Sequence, residues 1–514
     1  MAFEKLIEEL QEKKDRVLVM GGPHKITKQH EKGRLTARER IDRMLDPGSF
    51  FELGMLACSD MPGMEDKTPG DGIILGFGTI NGKRVGITAS DFTVLAATLS
   101  RVHGKKLHDF KQQIYQYKLP HVFLGDGGGG RVPDGQGSIG MTSSAMMGTR
   151  SIFLMYTNHR QAPMITAIMG NCFGVPMWQA CAADFVVQVK GSTLSVSGAR
   201  ALQKIIAATY TDEDMGGWKI QAEHTGIVDR TAEDEEDCFR IIREFLSYMP
   251  QNNRELPPRH PVPEDSGRNM GAIMDILPEK RTRAYDMYKI ILSIVDSGSL
   301  FDLKPLFGKT IITSLARIDG RSVGIVANQP MVNGGAMGTD ALEKLTGFLC
   351  LCDSYNIPLL FLHDSPGFLV GKEAELKKVG AKVTNAMDAL SQVTVPKVSI
   401  IIRKSYGQGM FSMCGPSAGP DFVVAWPSAE ISFLDPVVAA DVACGQLPEE
   451  EYQTLKNQMI QEAGPGPAAG RYFLQDIIDP RETRTYLMNV LDIIADCEGG
   501  GIGNHLLANW PKQF

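Results

Sequence analysis

The feature of this sequence that most constrains its fold is an internal repeat. The segment Ile80–Ile87 (INGKRVGI) recurs as Ile318–Ile325 (IDGRSVGI). Three further pairs follow in the same order: Leu119–Asp126 with Ile357–Asp364, Phe173-Gly174 with Tyr406-Gly407, and Asp184–Val187 with Asp421–Val424. Convergent strand sequences are the alternative explanation, but four collinear matches favour a duplication. The chain is therefore predicted to contain two related domains.

Each half alternates short apolar runs, glycine turns and longer segments with helical periodicity. Val85–Thr88 and His121–Leu124 have the character of buried strands, whereas Leu95–Tyr117 and Ala341–Tyr355 carry apolar residues at helical spacing. This alternation predicts an α/β fold with a buried sheet in each half. The predicted organisation is a helical preamble over 1–60, a first α/β domain over 61–255, a linker over 256–275 and a second α/β domain over 276–514.

Composition and charge exclude several classes of protein. Lys and Arg number 53 against 60 Asp and Glu, a net charge of −7, which argues against nucleic acid as the main partner. The uncharged stretch Gln161–Ala183 is interrupted by Pro163, Gly170 and Pro176, so we expect buried core and no membrane insertion. The cysteines and histidines lack metal-ligand spacing, and the first residues lack an export signal. We therefore expect no metal, no disulfide framework and a cytoplasmic location.

Two glycine-containing turns follow apolar runs in each half, and they are the candidate site. They are Gly125–Arg131 and Gly170–Val175 in the first half, and Asp364–Phe368 and Lys404–Gly409 in the second. Glycine permits close approach of the backbone, and a following helix directs free N–H groups at one point. Two such turns meeting over a substrate would supply paired donors for an enolate or thioester oxyanion. For a single turn, the alternative is that glycine only permits a tight bend.

Motifs of other chemistries are missing from the sequence. It contains no G-x-x-x-x-G-K-[ST] phosphate loop, no H-E-x-x-H and no G-x-S-x-G. One histidine is singled out, His363, because it lies beside Asp364 and the Ser365-Pro366-Gly367 turn. A structural histidine at a strand end is the alternative for this residue.

Motifs along nearly the whole chain resemble those of one family. They include Lys28–Ile41 (KQHEKGRLTARERI), Leu45–Phe50 (LDPGSF), Asp71-Gly72-Ile73, Tyr248–Asn253 (YMPQNN) and Ala425–Glu430 (AWPSAE). In this order they are similar to the signatures of the β-type carboxyltransferase subunit of biotin-dependent acyl-CoA carboxylases, the family that includes propionyl-CoA carboxylase and transcarboxylase.

The resemblance implies a fold, a reaction and partners. The fold would be two tandem crotonase (ClpP-like) domains, in agreement with the internal duplication. The reaction would move CO2 from carboxybiotin to the α-carbon of an acyl-CoA or related carbonyl substrate, with enolates held by backbone N–H groups. The chain would act as a homohexamer, a trimer of dimers. A biotin carboxylase and a biotin carboxyl carrier protein would be supplied by other chains.

Positions that match the family's motifs carry its site residues over to this sequence. The oxyanion holes are expected at Gly174 and Val175 in the first half, and at Gly407, Gln408 and Gly409 in the second. The acyl pocket is expected to contain Gly128, Gly129, Arg131, Gly170 and Cys172. The biotin side is expected to contain His363, Pro366, Gly367, Phe368 and Tyr406.

The sequence departs from the family at these holes. Gly174-Val175-Pro176 replaces Gly-Gly-Ala, and Gln408 replaces a glycine. Pro176 has no N–H to donate, and Val175 disfavours a positive φ. Three interpretations remain open: carboxylation of an acyl-CoA of unusual shape, the reverse decarboxylation of a malonyl-, methylmalonyl- or glutaconyl-type thioester onto biotin, and a non-catalytic scaffold subunit.

Overall fold

The computed structural model describes residues 2–146, 158–206, 209–267, 270–495 and 505–510. The chain divides into two compact units, Met1–Asn252 and Asn253–Phe514, which are called units 1 and 2 below. The first 60 residues supply three helices and one strand of unit 1. The division between the units lies close in sequence to residue 255, the expected end of the first domain.

Unit 1 contains an eight-stranded sheet in its described part. The strands are β1 Phe51–Leu53, β2 Ile73–Ile80, β3 Lys83–Ser90, β4 His121–Gly127, β5 Met164–Phe173, β6 Phe185–Val189, β7 Thr193–Ser195 and β8 Arg230–Ala232. Their order is β1-β2-β3-β4-β5-β6-β8, and β7 pairs with β5. The helices are α1 Ala2–Leu18, α2 Pro23–His30, α3 Ala37–Met44, α4 Arg101–Tyr117, α5 Val132–Gly135, α6 Gly137–Met146, α7 Val175–Ala182, α8 Ala199–Ile206, α9 Asp212–Gly216 and α10 Glu235–Tyr248.

Unit 2 repeats this sheet. Its strands are β9 Phe301–Leu303, β10 Ile311–Ile318, β11 Arg321–Asn328, β12 Leu359–Ser365, β13 Lys397–Tyr406, β14 Phe422–Ala425, β15 Glu430–Ser432 and β16 Asp476–Ile477. Their order is β9-β10-β11-β12-β13-β14-β16, and β15 pairs with β13. The helices are α11 Met287–Ile294, α12 Thr339–Ser354, α13 Lys372–Leu376, α14 Val379–Gln392, α15 Gly407–Ser412, α16 Pro436–Cys444, α17 Glu449–Glu462, α18 Pro465–Gly470 and α19 Thr483–Ala495. The predicted duplication and α/β fold are confirmed.

The repeated INGKRVGI motif has a physical explanation in the hairpin that it forms. Asn81-Gly82 and Asp319-Gly320 both adopt positive φ, as a two-residue hairpin turn of this kind requires. The carboxylate of Asp46 accepts hydrogen bonds from the Asn81 and Gly82 N–H groups, both at 2.9 Å. In unit 2, Asp296 accepts the corresponding pair at 3.0 and 2.7 Å. The duplication therefore extends back to the residues before β1 and β9.

Glycine on the third strand of each sheet allows a helix to pack closely. A Cβ on Gly86 of β3 would lie 2.7 Å from Ile114 Cδ1 of α4. A Cβ on Gly324 of β11 would lie 2.5 Å from Cys352 Sγ of α12. Since real Cβ atoms do not approach so closely, both positions exclude a side chain, and the helices press directly on the sheet.

The uncharged stretch Gln161–Ala183 forms β5 and α7, near the centre of the unit 1 sheet. Most of β5 is buried, as predicted from its interrupted apolar pattern. Among the helices described, none combines the length and the apolar character that a membrane crossing requires.

Candidate functional site: paired backbone turns

The turns after β4 and β5 meet at a small cavity in unit 1. The cavity has a volume of about 30 Å³, room for one or two water molecules. Gly127 and Gly129 of the first turn and Val175 and Pro176 of the second lie in its wall. The two glycine turns that the sequence singles out in the first half therefore lie together.

At the start of α7, Gly174 takes the unusual conformation and leaves the N–H of Val175 free. Gly174 has φ 70° and ψ −109°, and its own N–H donates to Ser195 O at 3.2 Å. Val175 and Pro176 begin the helix, where an N–H has no intrahelical acceptor. Within the described residues the Val175 N–H makes no hydrogen bond. The expected conflict between Val175 and a positive φ does not arise, because Gly174 carries that conformation.

The first turn of the pair is held by backbone hydrogen bonds to the loop before α4. Gly128 N–H donates to Ala96 O, Leu99 N–H to Gly129 O, and Arg131 N–H to Leu99 O, each at 2.8 Å. Gly129 has φ 88°, and no acceptor for its N–H lies in the part of unit 1 that is described. The turn therefore presents one fixed, unpaired donor at the cavity.

Four residues expected in the acyl pocket lie outside the cavity wall: Gly128, which belongs to the first turn, and Arg131, Cys172 and Gly170. The Arg131 guanidinium forms a buried ion pair with Asp71 at 2.7 Å, and it also donates to Thr98 O at 3.0 Å. Cys172 is fully buried on β5, and burial raises the pKa of its thiol. Gly170 lies beneath the Asp126 carboxylate, since a Cβ there would lie 2.0 Å from Asp126 Oδ1. Arg131, Cys172 and Gly170 therefore support the two turns on the side away from the cavity.

The corresponding turns of unit 2 also touch. Gly367 has φ 118°, and its N–H donates to Ser365 Oγ at 3.2 Å. A Cβ on Gly409 would lie 2.8 Å from Gly367 Cα, so the backbones of the two glycines are in direct contact and leave no room for a side chain. Gly407 takes φ 50°, and Gln408 adopts an ordinary φ at the start of α15. The N–H groups of Gln408 and Gly409 make no hydrogen bond among the unit 2 residues described.

Behind the unit 2 turn lies a polar cluster that sequence reasoning missed. Arg281 donates to both carboxylate oxygens of Glu430, at 2.9 and 2.6 Å, to Asp435 at 2.8 Å, and to the Tyr406 hydroxyl at 3.0 Å. The Tyr406 hydroxyl donates to Glu430. Burial and this bond raise the pKa of Tyr406. Burial opposes ionisation of Glu430, but the hydrogen bonds outweigh it and lower its pKa. Tyr406, expected on the biotin side, therefore belongs to an anchoring network.

His363, the singled-out histidine, is fully buried in β12. Its Nδ1 lies 3.2 Å from Ser405 Oγ of the neighbouring strand, and burial lowers its pKa to about 3. Pro366 and Phe368 flank Gly367 in the turn itself. Among the described residues, no group of three or more His, Cys, Asp or Glu side chains is placed to hold a metal ion.

The cavity wall of unit 1 contains three more polar residues that the sequence analysis did not identify: Ser90, His103 and Gln179. They lie on three elements that are distant in sequence, namely β3, α4 and α7. Their spacing carries no motif, so only the tertiary fold reveals that they share a wall.

Known proteins of one family are similar to this chain over most of its length. A family model described as "Carboxyl transferase domain" matches residues 28–498. Methylmalonyl-CoA decarboxylase subunit alpha of Veillonella parvula is 34% identical over 495 residues, 95% of this chain and 96% of that protein. The mitochondrial propionyl-CoA carboxylase beta chain of Homo sapiens is 34% identical over 496 residues, 95% of this chain and 90% of that protein.

Solved structures give the same family. The crystal structure of transcarboxylase 12S, described as a hexamer assembly with methylmalonyl-coenzyme A and methylmalonic acid bound, superposes with a TM-score of 0.88. The similarity covers 97% of this chain and 99% of that chain, at 31% sequence identity. A single-chain, multi-domain long-chain acyl-CoA carboxylase superposes with a TM-score of 0.84 over 94% of this chain and 48% of that chain, at 29% identity.

Proposed function

The chain belongs to the carboxyl transferase domain family, and from this premise we propose that it transfers a carboxyl group between biotin and the α-carbon of an acyl-CoA thioester. The names of its relatives, a propionyl-CoA carboxylase and a methylmalonyl-CoA decarboxylase, support the substrate class. The observation that carries the proposal is the pair of unpartnered N–H groups, of Gly129 and Val175, in the wall of one cavity.

On the acyl side, the thioester oxygen would lie between the Gly129 and Val175 N–H groups. Negative charge develops on this oxygen as the α-proton leaves, and donors already fixed in place stabilise it. Removing one such donor typically costs about 2.7–4 kcal/mol of barrier stabilisation. Leu99, Leu107 and Phe123 line the same cavity, and such apolar surroundings strengthen hydrogen bonds to an oxyanion. Because Pro176 supplies no N–H, Val175 is the one donor at this helix start.

On the biotin side, the unit 2 turns fit a planar ring with an anionic oxygen. Gly367 and Gly409 form a cradle that a Cβ would fill, and the N–H groups of Gln408 and Gly409 would hold the ureido oxygen. Carboxybiotin, when bound there, supplies the CO2 and accepts the α-proton of the thioester. This chain's own contribution is to position the two reactants and stabilise charge, so no side-chain base is required.

The proposal includes partners and an assembly. A biotin carboxylase and a biotin carboxyl carrier protein would come from other chains. The assembly proposed is a homohexamer, a trimer of dimers, supported by the hexamer described for transcarboxylase 12S. Light scattering should then give a mass about six times that of the 56.2 kDa chain.

The reverse reaction is a second candidate, favoured by the relative named methylmalonyl-CoA decarboxylase. The same N–H pairs serve either direction, because both directions pass through the same enolate charge. The third interpretation, a scaffold subunit, is disfavoured by the unpaired donors that both units retain.

The test is a partner-free assay of the purified chain. The protein is incubated with free biotin or biocytin and with malonyl-CoA, methylmalonyl-CoA or glutaconyl-CoA, and the decarboxylated acyl-CoA is followed by mass spectrometry. We expect at least one thioester to be converted, and only when biotin is present. No conversion of any thioester by the assembled oligomer would favour the scaffold subunit.

A further inference from the structure

The cavity that holds the proposed acyl site has a polar end. Ser90, His103 and Gln179 line it together with Gly129 and Val175. These three side chains are only 5, 6 and 4% exposed. Their free polar atoms are not among the enclosed side-chain atoms that lack a partner, so water or a ligand in the cavity can reach them and bind there.

His103 presents a hydrogen-bond acceptor. Its Nδ1 lies 3.1 Å from the carbonyl oxygen of Asp71. Because a carbonyl oxygen only accepts, Nδ1 must carry the hydrogen, and Nε2 is left with a lone pair. Nε2 makes no hydrogen bond within the described residues of unit 1. Burial lowers the pKa of His103 to about 4, against the opposing charge of Asp71, so the ring is neutral at pH 7.

The His103 ring is held rigidly from behind. The Asp71 carboxylate accepts the His103 backbone N–H at 3.0 Å, the Ser100 hydroxyl, and the Arg131 guanidinium at 2.7 Å. Arg131, which the sequence places in the pocket, therefore acts on His103 through Asp71. A side chain fixed in this way is preorganised for a ligand.

Gln179 presents a donor. Its Oε1 accepts a hydrogen bond from Lys111 Nζ at 3.4 Å. The other atom of the amide group, Nε2, is therefore the one that can donate to a ligand. Nε2 of Gln179 and Oγ of Ser90 have no partner among the residues described in unit 1. The residues of the cavity wall therefore carry an unused acceptor on His103, an unused donor on Gln179, and a hydroxyl on Ser90 that can play either role.

Unit 2 has no such set at the corresponding positions. Asn328 uses its amide internally, donating to Gly335 O at 3.3 Å and accepting the Asp364 N–H at 3.2 Å. Ala341 has no polar side-chain atom. The Ser412 hydroxyl donates to Met387 Sδ at 3.4 Å. The unpaired polar set is specific to the unit that is proposed to bind the acyl group.

We propose that Ser90, His103 and Gln179 bind a hydroxyl group carried by the acyl chain, so that the substrate is a short hydroxyacyl-CoA. This inference rests on the proposed acyl-CoA function. A hydroxyl both donates and accepts, so it would donate to His103 Nε2 and accept from Gln179 Nε2. Leu99, Leu107 and Phe123 surround the remaining carbons. A site built to hydrogen-bond a substrate hydroxyl discriminates strongly against the analogue that lacks it.

The test compares a matched pair of ligands on the assembled protein. Isothermal titration measures the Kd of 3-hydroxypropionyl-CoA and of propionyl-CoA. We expect the hydroxylated ligand to bind at least about tenfold more tightly than propionyl-CoA, because a hydrogen-bonded group in a protein site typically contributes a free energy of that size. Equal affinities, with water filling the polar end, would overturn the inference and leave the proposed function standing. Binding of neither ligand would count against the proposed function itself.

Two variants show whether these residues cause the preference. Gln179→Glu removes the N–H donor and keeps an oxygen for Lys111, and His103→Phe removes the acceptor and keeps the ring. Each should bring the ratio of the two Kd values towards one. Gln112→Glu, the same chemical change at an exposed position of α4, should leave the ratio unchanged. If His103→Phe does not fold, Gln179→Glu decides, and an unchanged ratio in that variant would overturn the inference.

Discussion

Units 1 and 2 bury an aspartate at the same position of their sheets, near the ends of β4 and β12, but they neutralise it differently. In unit 1, Asp126 accepts from Arg40 of α3 at 3.3 Å and from Gln29 of α2 at 2.9 Å. In unit 2, Asp364 accepts from Arg403 of the adjacent strand β13 at 2.9 Å. The same buried carboxylate is thus held by the N-terminal helices in one unit and by the sheet itself in the other.

The position that differs is Gly170 in unit 1 and Arg403 in unit 2. Gly170 has no room for a side chain, because the Asp126 carboxylate occupies the space that its Cβ would fill. An arginine at this position would therefore require a different arrangement of Asp126, Arg40 and α3. The Lys28–Ile41 motif therefore holds the Asp126 carboxylate, through Gln29 and Arg40, next to the turn that follows β4.

The largest expected effect comes from removing the arginine of either pair. Arg40→Met leaves Asp126 and Glu235 buried without their shared partner, and Arg403→Met does the same to Asp364. Breaking a buried ion pair from one side costs about 3–5 kcal/mol, so urea unfolding should show losses of that size. Arg481→Met, which breaks an exposed pair with Asp479, is the control and should have no measurable effect. Losses below about 1 kcal/mol for both buried variants would contradict this account.

A second prediction separates the two holes. Gly409→Ala places a Cβ against Gly367 and should close the unit 2 cradle, lowering the biotin-dependent rate by about 10²-fold or more. Acyl-CoA affinity should not change, because the proposed acyl site is in unit 1. Gly347→Ala in α12 adds the same methyl group where nothing lies within 4 Å, and activity should survive. A loss of acyl-CoA affinity in Gly409→Ala would show that the division of roles is wrong.

A third prediction makes unit 1 more like unit 2. Pro176→Ala adds an N–H at the position where unit 2 has Gly409, and it can be combined with Gln408→Gly. If the Val175 and Gly129 N–H groups already form a working oxyanion hole, Pro176→Ala only removes part of the proline ring from the cavity wall. In that case kcat/KM should fall about two- to tenfold. Steady-state kinetics of the decarboxylation assay measure this. A rise in kcat/KM would instead mean that the holes have decayed.

The smallest effect concerns a lysine that is half-buried in unit 1 and buried in unit 2. Lys106 donates to Gly70 O and Ile73 O, and Lys344 to Phe307 O and Ile311 O. Burial lowers the pKa of Lys344 to about 7 and that of Lys106 to about 8, from 10.5. Between these values and 10.5 the unfolded chain binds more protons, so each lysine makes stability rise with pH.

The lysine effect is measured as a difference between two proteins. From pH 7.5 to about 8.3, the free energy of unfolding should rise more in the wild type than in Lys344→Met, by about 1 kcal/mol. Urea titrations at the two pH values test this, and the subtraction cancels groups that both proteins share. An equal rise in both proteins would mean that Lys344 stays charged in the folded state.

Much of the fold was predictable, because the repeat depends on local turn chemistry that sequence shows directly. The Asn81-Gly82 and Asp319-Gly320 turns identify both hairpins, and the apolar runs identify the central strands. β1 and β9 were not predicted, since a strand of three residues is too short to establish a period. Likewise, the sequence does not pair Arg40 with Asp126, because the two residues are 86 positions apart and meet only in the fold.

The sequence identified the turns of the candidate site, but it did not show which N–H groups of those turns are free to bind a ligand. The sequence points to Gly174 and Val175, but only the pairing of β7 with β5 shows that Ser195 already accepts the Gly174 N–H. Arg131 appears as a pocket residue until Asp71 is seen to bind it. Hydrogen bonds between residues distant in sequence leave no periodic signal, and these bonds decide which donors remain free.

The most direct test of the central claim is a crystal structure of the protein with a bound acyl-CoA. We expect the thioester oxygen to lie about 2.7–3.1 Å from the backbone nitrogens of both Gly129 and Val175, the distance typical of oxyanion-hole donors. A thioester oxygen bound away from these two nitrogens, or an acyl group seated on the unit 2 turns, would contradict it.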